Sequence, residues 1–136
     1  ENMSLDVYLE GKTTKEKYYP TIDDCVKWFR IINRELFESV LPPINVIDVR
    51  TRRKTWGYYL WTWDPKTPEY VHTKLCMNKT YYNKKHFIEV LAHEMVHHYQ
   101  LIYGERPGHG QSFHRWQSKF NKKGLRLLES EYENEP

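Results

Sequence analysis

Five consecutive residues, His93-Glu94-Met95-Val96-His97, restrict this chain more than any bulk property does. On a helix, residues four apart stand one above the other, so both imidazoles face the same way. That separation lets two nitrogens reach one Zn²⁺ at about 2.0–2.1 Å. At 3.6 residues per turn, Glu94 lies about 100° round from His93 and about 60° from His97. A carboxylate there can touch water on the metal without being a ligand itself. Such a pattern also arises by chance, so its surroundings matter. Counted from Phe87, the residues Leu91, Met95, His98 and Ile102 fall within an arc of about 80°, while His93 and His97 lie nearly opposite. One side of the helix is expected to pack and the other to present imidazoles. The bland alternative is a pair of surface histidines on an amphipathic helix.

The rest of the chain reads as one α+β domain. Residues 1–20 are polar and lysine-rich and are expected to form a flexible arm. Thr21-Ile22-Asp23-Asp24 has the form of a capping box. Cys25, Phe29, Ile32, Leu36 and Val40 follow at helical spacing up to Pro42-Pro43. Three strand-like runs come next: Ile44 to Arg50, Trp56 to Trp63, and Tyr70 to Asn78. Their short polar connections suggest hairpins, hence a three-stranded antiparallel sheet, with Pro65 and Pro68 breaking the second connection. A long helix is expected from Lys84 to Tyr103, ending near Gly104, and a final helix from Gln111 to Lys123, closed by Gly124. The domain is expected over 21–128, before an acidic tail at 129–136.

Two histidines hold zinc poorly, and a third ligand is needed. Gln100 and Tyr103 stand where a metzincin would have its glycine and third histidine, which excludes that class. Glu129 and Glu131 would serve as a third ligand only from within or beside the tail. His109 is the better candidate, since Gly108 and Gly110 allow the sharp turn that brings an imidazole back over the helix. His114, five positions further on, could compete with it, but a place behind a ligand or on the surface suits it better. His98 falls on the apolar stripe and is expected to be a core histidine, and His72 and His86 carry no pattern.

Several stretches of the chain resemble those of a known family. Asn33-Arg34-Glu35-Leu36-Phe37 with Leu41-Pro42, Gly57, Leu91 to His97, and Gly108-His109-Gly110 with Phe113 are similar to the SprT-like metallopeptidase domain, the family of the Spartan proteases that digest DNA–protein crosslinks. The resemblance runs from about Ile22 to Gly124. It implies a minimal zincin-like protease fold with one Zn²⁺ per chain. His93, His97 and His109 would be the ligands and Glu94 the general base.

Charge and composition bear on partners. The net charge is +3, yet the last eight residues carry four glutamates and no base, so the body is more basic than the total. Arg50, Arg52, Arg53 and Lys54 gather in one connection and are candidate phosphate contacts, against the plainer reading of a solvated turn. Trp56, Tyr58, Tyr59, Trp61 and Trp63 suit a sheet core and rim, with base stacking the sharper alternative. Cys25 and Cys76 read as reduced core residues. No apolar run approaches the roughly 18 residues of a membrane span. A cytosolic or nuclear setting is expected, with a protein substrate, DNA as a candidate second partner and no membrane. The expected reaction is peptide hydrolysis by metal-activated water, with the substrate backbone added to an exposed sheet edge at Tyr70 to Asn78. Two rivals stay open: a processing protease indifferent to DNA, and a zinc-stabilised nucleic-acid-binding module in which Glu94 would be dispensable.

Overall fold

The computed structural model describes Leu5, residues 16–64 and residues 66–129. Most of the expected arm and almost all of the expected acidic tail lie outside the described residues. Where the arm ends it is tied down. Tyr18 and Tyr81 exchange backbone hydrogen bonds of 3.0 and 2.9 Å, and Leu5 is fully buried.

Helix α1 (Ile22–Leu36) begins as the capping box requires. Thr21 Oγ1 accepts from the Asp24 amide at 3.1 Å, and Asp24 Oδ2 accepts from the Thr21 amide at 2.9 Å. It stops short of the proline pair because Asn33 builds a turn after it. The Asn33 carboxamide brackets Leu41, accepting from its amide at 3.2 Å and donating to its carbonyl at 3.0 Å. Between them Glu38 and Ser39 adopt φ of 53° and 60°, a left-handed conformation costing about 1–2 kcal/mol per residue. Val40 is therefore exposed rather than part of the helical stripe.

The strands are β1 (Val46–Val49), β2 (Gly57–Asp64) and β3 (Thr67–Met77), in the spatial order β1-β3-β2. β2 and β3 are antiparallel, but β1 runs parallel to β3, so the sheet is mixed and not the antiparallel one expected. The connection from β1 to β2 is not a hairpin turn. It steps across β3, a distance of two strand spacings or about 9.6 Å. Arg50 N and Arg52 Nε both donate to the Met77 carbonyl, at 3.2 and 3.0 Å. Asn78 Nδ2 donates to the carbonyls of Arg52 and Thr55 at 2.8 and 3.0 Å. The end of β3 thus supplies what a turn would otherwise have to satisfy. A second correction follows. The stretch Tyr70 to Met77 lies on the central strand, where Val71 to Met77 pair with β2 and Lys74 to Met77 also pair with β1, so its C-terminal half offers no free edge. The edges are β1 and β2. Pro68 is accommodated because the register jumps from Trp63↔Val71 to Asp64↔Thr67.

The long helix α2 (Lys84–Ile102) starts at Asn83, whose side chain accepts from the His86 amide at 2.8 Å. It packs on the sheet face formed by the pairs Gly57↔Met77 and Tyr59↔Leu75. Gly57 permits this approach. A Cβ there would lie 3.1 Å from the Cys76 carbonyl oxygen and 3.1 Å from Val90 Cγ1. The final helix expected over Gln111 to Lys123 is two short ones, α3 (Gln111–His114) and α4 (Gln117–Lys122). A tight step between them, with Trp116 N bonded to the Phe113 carbonyl, lets Phe113 and Phe120 both turn inward. Each fully buried Leu, Ile or Phe contributes about 1.5–3 kcal/mol through removal from water. Cys25 and Cys76 are buried free thiols, and burial pushes the Cys25 thiol up to about 12. No helix among the described residues is long and apolar enough to cross a membrane.

Candidate metal centre

Helix α2 was expected to have one packed and one open side, but every residue from His86 to His98 is buried. The imidazole side is covered by the chain that follows the helix. Gly104, at φ 80°, ends α2 by pairing its amide with the Leu101 carbonyl, while Glu105 N reaches back to the Gln100 carbonyl. The chain then doubles back through Pro107 to Gly108-His109-Gly110 and enters α3.

This return places His109 against the helix. Its Nε2 lies 3.2 Å from His93 Nε2, and one ligand atom from each of His93, His97 and His109 falls within 4.8 Å of the other two. Neighbouring nitrogens on one tetrahedral zinc stand about 3.3 Å apart. Phe113 forms the floor, with ring centroids 4.9, 5.5 and 4.8 Å from those of His93, His97 and His109. Among the described residues, these three histidines form the group that could hold a metal ion.

The donor chemistry fits zinc. His93 Nδ1 is 2.8 Å from the Leu128 carbonyl oxygen, which can only accept, so Nδ1 carries the proton and Nε2 keeps its lone pair. His97 Nδ1 is likewise 2.9 Å from Gln100 Oε1. Histidine ligands typically donate their other ring N–H to such an oxygen, which fixes the ring and raises its basicity. Burial, with the neighbouring His97 and His109, pushes the His93 pKa down to about 3. The ring is therefore neutral, as a ligand must be. Glu94 is fully buried beside this group, its Oε2 4.0 Å from His93 Nε2.

The Leu128 carbonyl is itself held in place. Glu89, four residues before His93 and 1 % exposed, accepts from the Arg126 amide at 2.7 Å and from its guanidinium at 3.0 Å. Sequence reasoning missed both Glu89 and Gln100. A carboxylate between Ile88 and Val90 on a buried helix was the available signal for the first.

Of the competing third ligands, His114 and Glu129 face each other, Nε2 to Oε2 at 3.5 Å, and are not part of the three-histidine group. Glu131 is outside the described residues. His98 is a core histidine, as its place on the apolar stripe implied. Its Nε2 donates to the Pro42 carbonyl at 2.8 Å, and its Nδ1 accepts from the Tyr59 hydroxyl at 2.6 Å.

The four candidate phosphate contacts divide. Arg52 turns inward, its guanidinium bonded to Met77, Tyr58 and Asp48. Arg50 is exposed and paired with Asp48 at 2.7 Å, and Arg53 and Lys54 are exposed. Of the aromatic run, Tyr59 is buried, Trp61 stacks on it and Trp63 is 55 % exposed.

No curated protein and no solved structure matches the chain significantly. A family model does match, over residues 25–133, from the first turn of α1 past the segment that carries Leu128. That span takes in all three histidines and Glu94, and the chain belongs to the SprT-like family.

Proposed function

We propose that the chain is a zinc-dependent endopeptidase. The observation that carries this reading is the convergence of His93, His97 and His109 beside the buried carboxylate of Glu94. A zinc ion held there would supply Lewis-acid polarisation of the scissile carbonyl and would make water acidic enough to attack near neutral pH. Glu94 takes the proton from the attacking water and passes it to the departing amine nitrogen. Phe113 and the covering segment from Leu125 to Leu128 keep bulk water from the histidines' far side. An extended substrate has an outer edge available at β2, next to a groove lined by Trp61, Trp63, Leu101 and Ile102.

Replacing Glu94 by Gln separates catalysis from metal holding. Zinc content and fold should persist while cleavage of an unstructured protein falls about 10²–10⁴-fold. Turnover equal to wild type in Glu94→Gln would remove Glu94 from the reaction and favour a zinc-stabilised binding module.

Proteins held on DNA are the substrates this reading favours, supported by the exposed cations Arg50, Arg53 and Lys54. Arg52 is spared in testing this, because its loss would unpin the loop. In the variant with Arg50, Arg53 and Lys54 replaced by Ala, stimulation of cleavage by duplex DNA should be lost and basal cleavage kept. DNA binding should weaken as salt rises, with a log–log slope of about −0.9 per phosphate neutralised. Equal rates with and without DNA at low salt would favour a processing protease indifferent to DNA.

A further inference from the structure

We propose that Gln100 is the positioning residue that fastens the third-ligand loop to α2 and so sets how tightly the three imidazoles hold a metal. The inference rests on the zinc reading above.

Gln100 lies three residues after His97, on the last full turn of α2, and is 1 % exposed. Its carboxamide uses all of its capacity. Oε1 accepts from His97 Nδ1 at 2.9 Å and from the Gly108 amide at 3.1 Å. Nε2 donates to the Gly108 carbonyl at 3.1 Å and to Ser112 Oγ at 2.9 Å. The Gly108 pair settles the orientation of the amide, since its N–H demands an acceptor and its C=O a donor. With Oε1 thus assigned, the nitrogen of His97 facing it must carry the proton. A single side-chain oxygen therefore orients one helix ligand and grips the residue immediately before the loop ligand.

The loop needs such a grip. His109 is exposed, and the segment from Glu105 to Gly110 has no fully buried side chain to hold it. Two glycines flank His109, so the turn that makes the return possible also makes it costly to order. Gln100 meets this cost from the helix: its backbone carbonyl accepts the Glu105 amide at 2.8 Å, and its side chain holds Gly108 from both sides. Leucine would keep the volume and lose all four side-chain bonds.

The test is a competition titration of metal-stripped protein against a chromophoric zinc chelator. Wild type is compared with Gln100→Leu, Gln100→Ala, His109→Ala and the Gln100→Leu/His109→Ala pair. Loss of an outer partner of a metal-binding histidine typically weakens affinity about 10–100-fold, the loss expected for Gln100→Leu and Gln100→Ala. The Gln100→Leu cost should shrink in the His109→Ala background, because the hold on Gly108 matters only while His109 is present, leaving the bond to His97 Nδ1. Amide exchange supplies a metal-free reading: the Gly108 amide should be protected in wild type and exposed in Gln100→Leu, with the centre of α2 unchanged. Wild-type zinc affinity in the Gln100 variants would overturn the proposal. So would an equal cost with and without His109, or a freely exchanging Gly108 amide in wild type. A wild-type chain that takes up no zinc would instead overturn the zinc reading itself, and this inference with it.

Discussion

The two halves of the candidate metal centre are built by opposite means. His93 and His97 stand on a helix buried on all sides, each ring locked by a hydrogen bond to an oxygen behind it. His109 stands exposed on a glycine-flanked return, held through Gln100 and the aromatic floor of Phe113. The helix half is part of the core and exists because the domain folds. The loop half is an attachment to that core. Fold stability and metal affinity should therefore respond differently to changes in the two halves.

The largest contrast is expected between His93→Ala and His109→Ala. Both should abolish tight zinc binding, since two imidazoles make a poor site. Only His93→Ala should also destabilise the metal-free chain, by about 1–3 kcal/mol, because it opens a hole in the core and orphans the Leu128 carbonyl. His109→Ala should leave metal-free stability within about 0.5 kcal/mol, as exposed positions usually do. Denaturant unfolding of the stripped proteins measures both. Equal losses would mean that the return loop is as much a part of the core as the helix.

A smaller effect concerns the start of α2, far from the ligands. His86 packs edge-on against Trp56 and Tyr81, and burial, with Arg126 adding to it, lowers its pKa from 6.5 to about 4. The folded chain therefore holds the neutral ring, while the unfolded chain takes up a proton near pH 6.5. This contribution is complete above pH 6.5 and is lost as the pH falls toward 4. Unfolding free energies of the metal-free chain across that window should decline, and the decline should be shallower in His86→Phe. A slope unchanged by that substitution would show that the helix start does not contribute to acid sensitivity.

The same division explains how much was legible in the sequence. The i, i+4 spacing of His93 and His97, the neighbouring Glu94 and the apolar arc through Phe87, Leu91 and Met95 are local facts, and the helix follows them. His109 could be nominated because glycines on both sides announce a sharp turn. Gln100 could not, since a glutamine on a helix is ordinary until the chain that returns to it is known. The sheet order failed for the same reason. Thr51 to Thr55 is short and polar, as a hairpin loop would be, but Asn78, more than twenty residues later, completes its hydrogen bonds. Arg52 looked like one cation among four, and only the end of β3 shows that it faces inward.

X-ray absorption at the zinc edge, on chain reconstituted with one equivalent of zinc, examines the convergence of the three histidines without relying on any substrate. The expected spectrum has a shell of nitrogen and oxygen donors at about 2.0–2.1 Å with the outer-shell scattering of three imidazoles, reduced to two in His109→Ala. A sulfur shell at about 2.3 Å, or the same imidazole count in wild type and His109→Ala, would contradict it.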